Sequence, residues 1–530
     1  MTITQQLLLF GLVGVGFALY YTLSRIGQRP PGLPPGPPTD PFWGNIKQFQ
    51  KWAHEYGPIY SIKLGVQTMI VLSDGKVVKE LIDKRSASTN ERGPHYIAHD
   101  LLGNGQRILQ MRYGPDWRLS RKLYHRLLTA AAAKTYLPYL ELESKKMLYD
   151  LSTKPDGFLY HIKRYTNSMA MMVTYGRRVP EYDNPTMREI LKSLEKTSSI
   201  IQVTSAALAD AYPILQWVPA FLFPAKRKAI EHTKTEMSIY LRLWNQVKTA
   251  MAQGTQKPCF AADLVTLQKK EGFTDLRAAY VSSGSMEAGT GTSSNNLLGF
   301  IQALILFPEA LKEAQRELDR VVGDGRLPDL SDRENLPYLR SCVKESLRWM
   351  PPVIVGIPHC LSCDETYMGY VLPKGAELLI NVWTLNNDPV RFKDPRTFNP
   401  ARFLKDEQTS FEAATNPDPD LRDHYAFGGG RRLCPGTHLA DDILFLAMSK
   451  LVWAFDFKPA VINGKEVPPT PERFTQTAVV MPEPYPATIV PRSAKRAAMI
   501  KKEWEQARDS LLDDELQWRE IPQGMKFTEL

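Results

Sequence analysis

Apolar residues recur at three- and four-residue steps over Trp117–Leu128, Met187–Asp210, Lys226–Gln253, Leu276–Phe307 and Pro308–Val322, and this spacing predicts long amphipathic helices. The segment PEALKEAQRELDRVV opens on proline, follows with acids and then keeps the helical period, which marks a helix start. Shorter runs, IYSIKL, TMIVLS and ELLINV, have the β-branched content of strands. Helices dominate, and both halves of the chain contribute to a minor sheet. Strand and helix do not alternate and no GxGxxG occurs, which argues against a dinucleotide-binding fold. The pattern predicts a mainly α fold with a smaller β part.

A different pattern opens the chain. Residues 7–23, LLLFGLVGVGFALYYTL, run without a charge and reach the lower limit of about 17 residues for a spanning helix. No basic residue precedes the run, as a cleaved signal would require, whereas Arg25 and Arg29 follow it. A retained anchor over residues 1–29, with the rest of the chain in the cytosol, is expected. Residues 30–45 are proline-rich and predict a stiff, non-helical hinge. The main domain is expected over 46–492, followed by a charged helical extension over 493–530. In that extension Ile500, Trp504, Ala507 and Leu511 form an apolar stripe, suited to packing on the body or to another protein.

Composition narrows the class. Of 530 residues, 43% are hydrophobic and 23% charged, which excludes a disordered chain. Five cysteines are too few and too scattered for a disulfide framework. The net charge of +9 suits anionic lipid or an acidic protein, and no nucleic-acid motif accompanies it.

Candidate chemistry lies in FGGGRRLCPG, residues 427–436. Glycines permit tight turns and close approach of a flat ligand. Arg432 places a cation near a carboxylate-bearing cofactor, and the apolar-faced helix after Pro435 would direct its amino terminus at the sulfur. A thiolate is a strong soft ligand for iron. The stretch fits Phe-x-x-Gly-x-Arg-x-Cys-x-Gly, with Phe427, Gly430, Arg432, Cys434 and Gly436 in register. It resembles the heme-binding loop of the cytochrome P-450 monooxygenases, of the fungal microsomal type.

That resemblance extends from the hinge to about residue 490. It implies the P-450 fold, heme b ligated by Cys434 as the metal ligand, and oxidation of a small apolar substrate with dioxygen. Glu345 and Arg348 of ESLR, with Arg402 of FNPARF, would form a structural network, thinner than usual because Ala401 replaces an acid. Trp117 and Arg121 of WRLSR and His359 of GIPH would contact heme propionates. In EAGTGTSS, Thr292 matches the oxygen-activating alcohol and the glycines would widen the helix locally. Gly291 stands where the family has an acid, so protons would pass through water, Glu287 or the substrate.

Nicotinamide and flavin motifs are lacking, so electrons are expected from a membrane-bound NADPH-cytochrome P-450 reductase. Arg118, Lys122 and Arg126 recur every four residues and either dock that reductase or form a solvated face. AYPILQWVPAFLFPAKRKA offers Trp217, Phe221 and Phe223 with Lys226, Arg227 and Lys228 for a lipid surface, or else roofs the pocket. The expected location is the endoplasmic reticulum membrane, and the pathway a fungal secondary one. Rival readings are a reductase-independent heme-thiolate isomerase or dehydratase and a non-catalytic heme-binding protein.

Overall fold

The computed structural model describes residues 31–37, 46–64, 66–201, 204–475 and 479–528. The expected membrane anchor and most of the hinge lie outside them. Among the described residues no helix is long and apolar enough to cross a membrane.

Helices lie close to where the periodicity places them: Pro115–Leu127, Pro224–Ala252, Asp275–Leu306 and Pro308–Val321. Their ends have local causes. Pro115, Pro224 and Pro308 sit in the first turn, where their missing N–H groups cost nothing. The Thr274 hydroxyl accepts from the Arg277 N–H and caps the 32-residue Asp275–Leu306 helix. Of the helix expected over Met187–Asp210, Pro185–Ile201 and Thr204–Ala211 are helical, and residues 202–203 lie outside the described residues.

Sheet residues come from both halves of the chain. Ile59–Leu64 pairs antiparallel with Gln67–Leu72, which pairs in parallel with Glu377–Ile380, and His359–Cys360 closes the far edge. This arrangement carries His359 to the side of the molecule where Thr89 and Asn90 lie.

The core is helical. Residues 443–455 are all buried, so the Thr437–Ala454 helix crosses the interior. It packs beside Asp275–Leu306 and Pro337–Trp349. Its single interior cation, Lys450, is held by Glu141 (2.5 Å) and Ser144 (2.8 Å).

The extension packs back on the body. Ser493 caps the Ala494–Leu511 helix, which lies against Leu137–Thr153. Ile500, Trp504 and Ala507 are buried, but Leu511, expected in the same stripe, is exposed because the chain turns away there. Arg496 reaches Asp319 (2.6 Å), and Arg178 donates to the Leu516 carbonyl (2.6 Å). Trp504→Ala is expected to destabilise the protein by about 3–5 kcal/mol, the usual cost of removing a buried tryptophan, measurable as a lower thermal midpoint.

Candidate heme site

Loop geometry sets the cysteine. Gly428 (φ 69°) and Gly430 (φ 60°) adopt left-handed backbone. A Cβ on Gly430 would collide with the Ile82 carbonyl. The Gly430 N–H donates to Asp83 (2.7 Å), which lays the loop on the Lys79–Lys84 turn. The Cys434 N–H donates to the Phe427 carbonyl (3.0 Å), closing the loop, and Thr437 Oγ1 donates to the Cys434 carbonyl (2.9 Å).

The sulfur lies near the start of the Thr437–Ala454 helix. Surrounding protein desolvates it and raises the thiol above its ordinary value, while the Gly436 N–H and Arg121 pull the other way. A cation bound at the sulfur would tip this balance to thiolate.

Around the loop stand cations without close ion pairs. Arg92, Arg121 and Arg432 have no carboxylate at ion-pair distance among the described residues. Burial, then the charge of Arg432, pushes the Arg92 guanidinium well below its usual range. Burial lowers Arg432 to about 10 and depresses Arg121. Backbone carbonyls hold them: Arg92 bonds Leu109 (2.9 Å) and Ile357 (2.8 Å), Arg121 bonds Leu433 (2.5 Å), and Arg432 bonds Asn90 (2.7 Å) and Met111 (2.9 Å). Arg432 lies 4.8 Å over the Trp117 ring. Burial, then Arg92, brings His359 down to about 3, so its ring is neutral. Its Nδ1–H donates to the Thr89 carbonyl (2.9 Å), leaving a lone pair on Nε2. Partly desolvated arginines on which Glu91 and Glu377 act only from beyond ion-pair distance fit a guest that carries carboxylates.

The structure thus groups Trp117, Arg121, His359 and Arg432, and adds Arg92, which sequence reasoning did not single out. Its only sequence signal was its place in ERGPHYIAHD, an unpatterned loop.

The locking network is also present and larger than expected. Arg348 donates to Glu345 twice, at 2.7 and 2.8 Å, with both side chains fully buried. Arg402 stands 3.4 Å from Glu345, an ion pair without a hydrogen bond. The Asn399 N–H also donates to Glu345 (2.8 Å). Arg348 also donates to the Asn386 carbonyl (2.7 Å), and the Asn386 side chain accepts from the Tyr425 N–H (3.0 Å). Asn386, another residue missed from sequence, therefore joins the network to the chain entering the cysteine loop.

On the distal side, Asp275–Leu306 runs as one helix through its glycines, so the expected local widening is not formed. Small residues open the face instead. Ala288 is exposed, Gly291 and Thr292 are half-buried, and a Cβ on Gly291 would meet nothing within 4 Å. Thr292 Oγ1 donates to the Ala288 carbonyl (2.8 Å). Glu287 faces elsewhere: it pairs with Arg107 (2.7 Å) and accepts from Tyr240.

A mostly helical fold with a cysteine loop, buried and half-buried cations beside it and an opened helix face fits a heme-thiolate protein. The cytochrome P450 family profile matches residues 34–489. The chain is 45% identical to cytochrome P450 monooxygenase virE of Hypocrea virens, over 98% of this chain and 96% of that protein. It is 41% identical to cytochrome P450 monooxygenase fogE of Aspergillus ruber, over 99% and 98%. A zebrafish cytochrome P450 solved with progesterone shares the fold, with a TM-score of 0.69 and 24% identity over 85% of this chain and 100% of that one. The chain belongs to the cytochrome P450 family and is a monooxygenase of that family, with heme bound through a cysteine thiolate.

Proposed function

We propose that the protein is a membrane-anchored oxygenase that takes electrons from NADPH-cytochrome P-450 reductase and oxidises an apolar small molecule in fungal secondary metabolism. The observation that carries this reading is the cysteine loop of Cys434 together with Arg92, Arg121 and Arg432, none of which has an ion-pair partner among the described residues, in a fold whose Asp275–Leu306 helix leaves Ala288 exposed and Thr292 half-buried. Likeness to fungal monooxygenases over nearly the whole chain supports it.

Bound heme supplies the activation of dioxygen and the insertion of one oxygen atom into substrate. Cys434 Sγ would ligate the iron, and Arg92, Arg121 and Arg432 would take the propionates. The Thr292 hydroxyl, on the open helix face, holds a transferable proton at Oγ1. Gly291 offers no acid beside it, and Glu287 is engaged by Arg107, so water is the proton route this arrangement favours.

Membrane contact rests on residues 7–23 and on a second patch. Ile214, Trp217, Phe221 and Leu222 are exposed, Trp217 at 85%, whereas Phe223 turns inward and is buried. Exposed aromatics beside Lys226, Arg227 and Lys228 suit a lipid headgroup layer. Brominated lipids in anionic vesicles are expected to quench Trp217 fluorescence, read as the difference between wild type and Trp217→Phe. Absence of that difference removes the patch from the membrane. The Arg118–Lys122–Arg126 stripe is a weaker docking surface, because Lys122 is paired with Glu271 (2.7 Å).

Co-expression with a reductase in yeast microsomes, fed candidate apolar precursors, tests the whole reading. Products carrying added oxygen and requiring NADPH are expected. Rearranged or dehydrated products formed without NADPH would replace it with the isomerase reading.

A further inference from the structure

A cluster of charges sits where the distal helix meets its roof. Arg107 donates to Glu287 on the Asp275–Leu306 helix (2.7 Å) and is ion-paired with Glu236 on the Pro224–Ala252 helix. Tyr280 donates to Glu236 (2.9 Å) and Tyr240 to Glu287. Burial raises both phenols, so they remain neutral donors. His232, lowered by burial, bonds Thr197 of Pro185–Ile201 (2.9 Å). The side chains of Glu236, Glu287 and Arg107 are 0%, 13% and 14% exposed. One guanidinium thus serves two carboxylates in a site where an unmatched charge is costly.

Arg107 lies in a loop, not on a helix. Upstream, Gly103 (φ 71°), Asn104 (φ 50°) and Gly105 (φ 69°) form three successive left-handed residues, a conformation that glycine and asparagine accept. Thr233 on the roof helix accepts from the Gly103 N–H (3.2 Å) and donates to the Leu101 carbonyl (2.7 Å). Downstream, the Leu109 and Met111 carbonyls accept from Arg92 and Arg432, the cations of the cofactor cradle. The segment from Leu101 to Met111 therefore spans from roof to cradle and is tied between them to Glu287, the residue before exposed Ala288. Arg107 is its mid-span ionic tie to that helix.

We propose that Arg107 is a positioning residue: by clasping Glu287 and Glu236 together it fastens the Leu101–Met111 segment as the side wall of the distal chamber and limits ligand entry there. This rests on the reading of that face as the reaction chamber. The clasp holds the left-handed turn against the helix, one residue before exposed Ala288.

The test uses the full-length holoenzyme in detergent with carbon monoxide as the probe, so the substrate need not be known. Recombination after flash photolysis of the ferrous carbonyl is measured. Arg107→Ala is expected to speed bimolecular recombination about tenfold or more, since a broken buried pair leaves two carboxylates unmatched. Arg107→Lys should bring the rate part of the way back, which general unfolding would not allow. Glu287→Gln keeps the side-chain shape and decides the matter if Arg107→Ala does not retain heme; a smaller increase in the same direction is expected. Rates within about twofold of wild type in whichever of these variants retains the wild-type carbonyl spectrum would overturn the proposal. Loss of the carbonyl spectrum in the wild type itself would instead strike the heme-site reading.

Discussion

Cys434→Ser protein is expected to give no thiolate-type carbonyl spectrum and no NADPH-dependent product. An alcohol is a harder and far more weakly acidic ligand than a thiol, so it does not provide the soft anionic donor that iron takes from cysteine. Loop shape should survive the exchange. Gly428 and Gly430 set the backbone, and the Cys434 N–H, not its sulfur, bonds Phe427. The variant should therefore remain folded while turnover falls by more than about 100-fold, because even partners one layer out from a metal ligand contribute about 10–100-fold. Retention of the wild-type carbonyl spectrum would remove the sulfur from the iron.

The second large effect is structural. Glu345→Ala is expected to cost about 3–5 kcal/mol, because it leaves Arg348 charged and fully buried with no carboxylate. The damage should reach the heme. Arg348 bonds Asn386, which receives the Tyr425 N–H two residues before Phe427. Heme retention during mild heating, followed by the Soret band, should fall well before the helices melt. Arg402→Ala offers the contrast. Its ion pair with Glu345 lacks a hydrogen bond, and its guanidinium also donates to the Asp394 carbonyl (2.9 Å), so a loss of about 1 kcal/mol is expected. Equal losses from the two variants would show that the network does not have Glu345 at its centre.

Much of this site was legible because its chemistry is local in sequence. The loop around Cys434 needs glycine at fixed positions, and Glu345 and Arg348 are one helical turn apart. Helices declared themselves through apolar spacing and proline starts, and Ile59–Leu64 falls on the run read as a strand. What was not legible depends on contacts between distant segments. Arg92 belongs to the cradle only because the loop that carries it runs beside residues 357 and 432. Asn386 matters through Arg348 and Tyr425, each nearly forty residues away in sequence. Glu287 was open to a proton role when only its helical phase was known; Arg107, far off in the chain, engages it instead. The glycines near Thr292 were read as a widening, yet the helix runs through them unbroken, and the missing side chain at Gly291 leaves open space beside it.

The unmatched guanidinium groups have a consequence for how the chain matures in a cell. A polypeptide that closes around Arg92, Arg121 and Arg432 before its pigment arrives must desolvate positive charge with no carboxylate at ion-pair distance to offset it. Porphyrin supply then acts on folding yield as well as on colour. A host starved of the heme precursor 5-aminolevulinate should accumulate less soluble polypeptide, and feeding that precursor should raise the amount of protein itself.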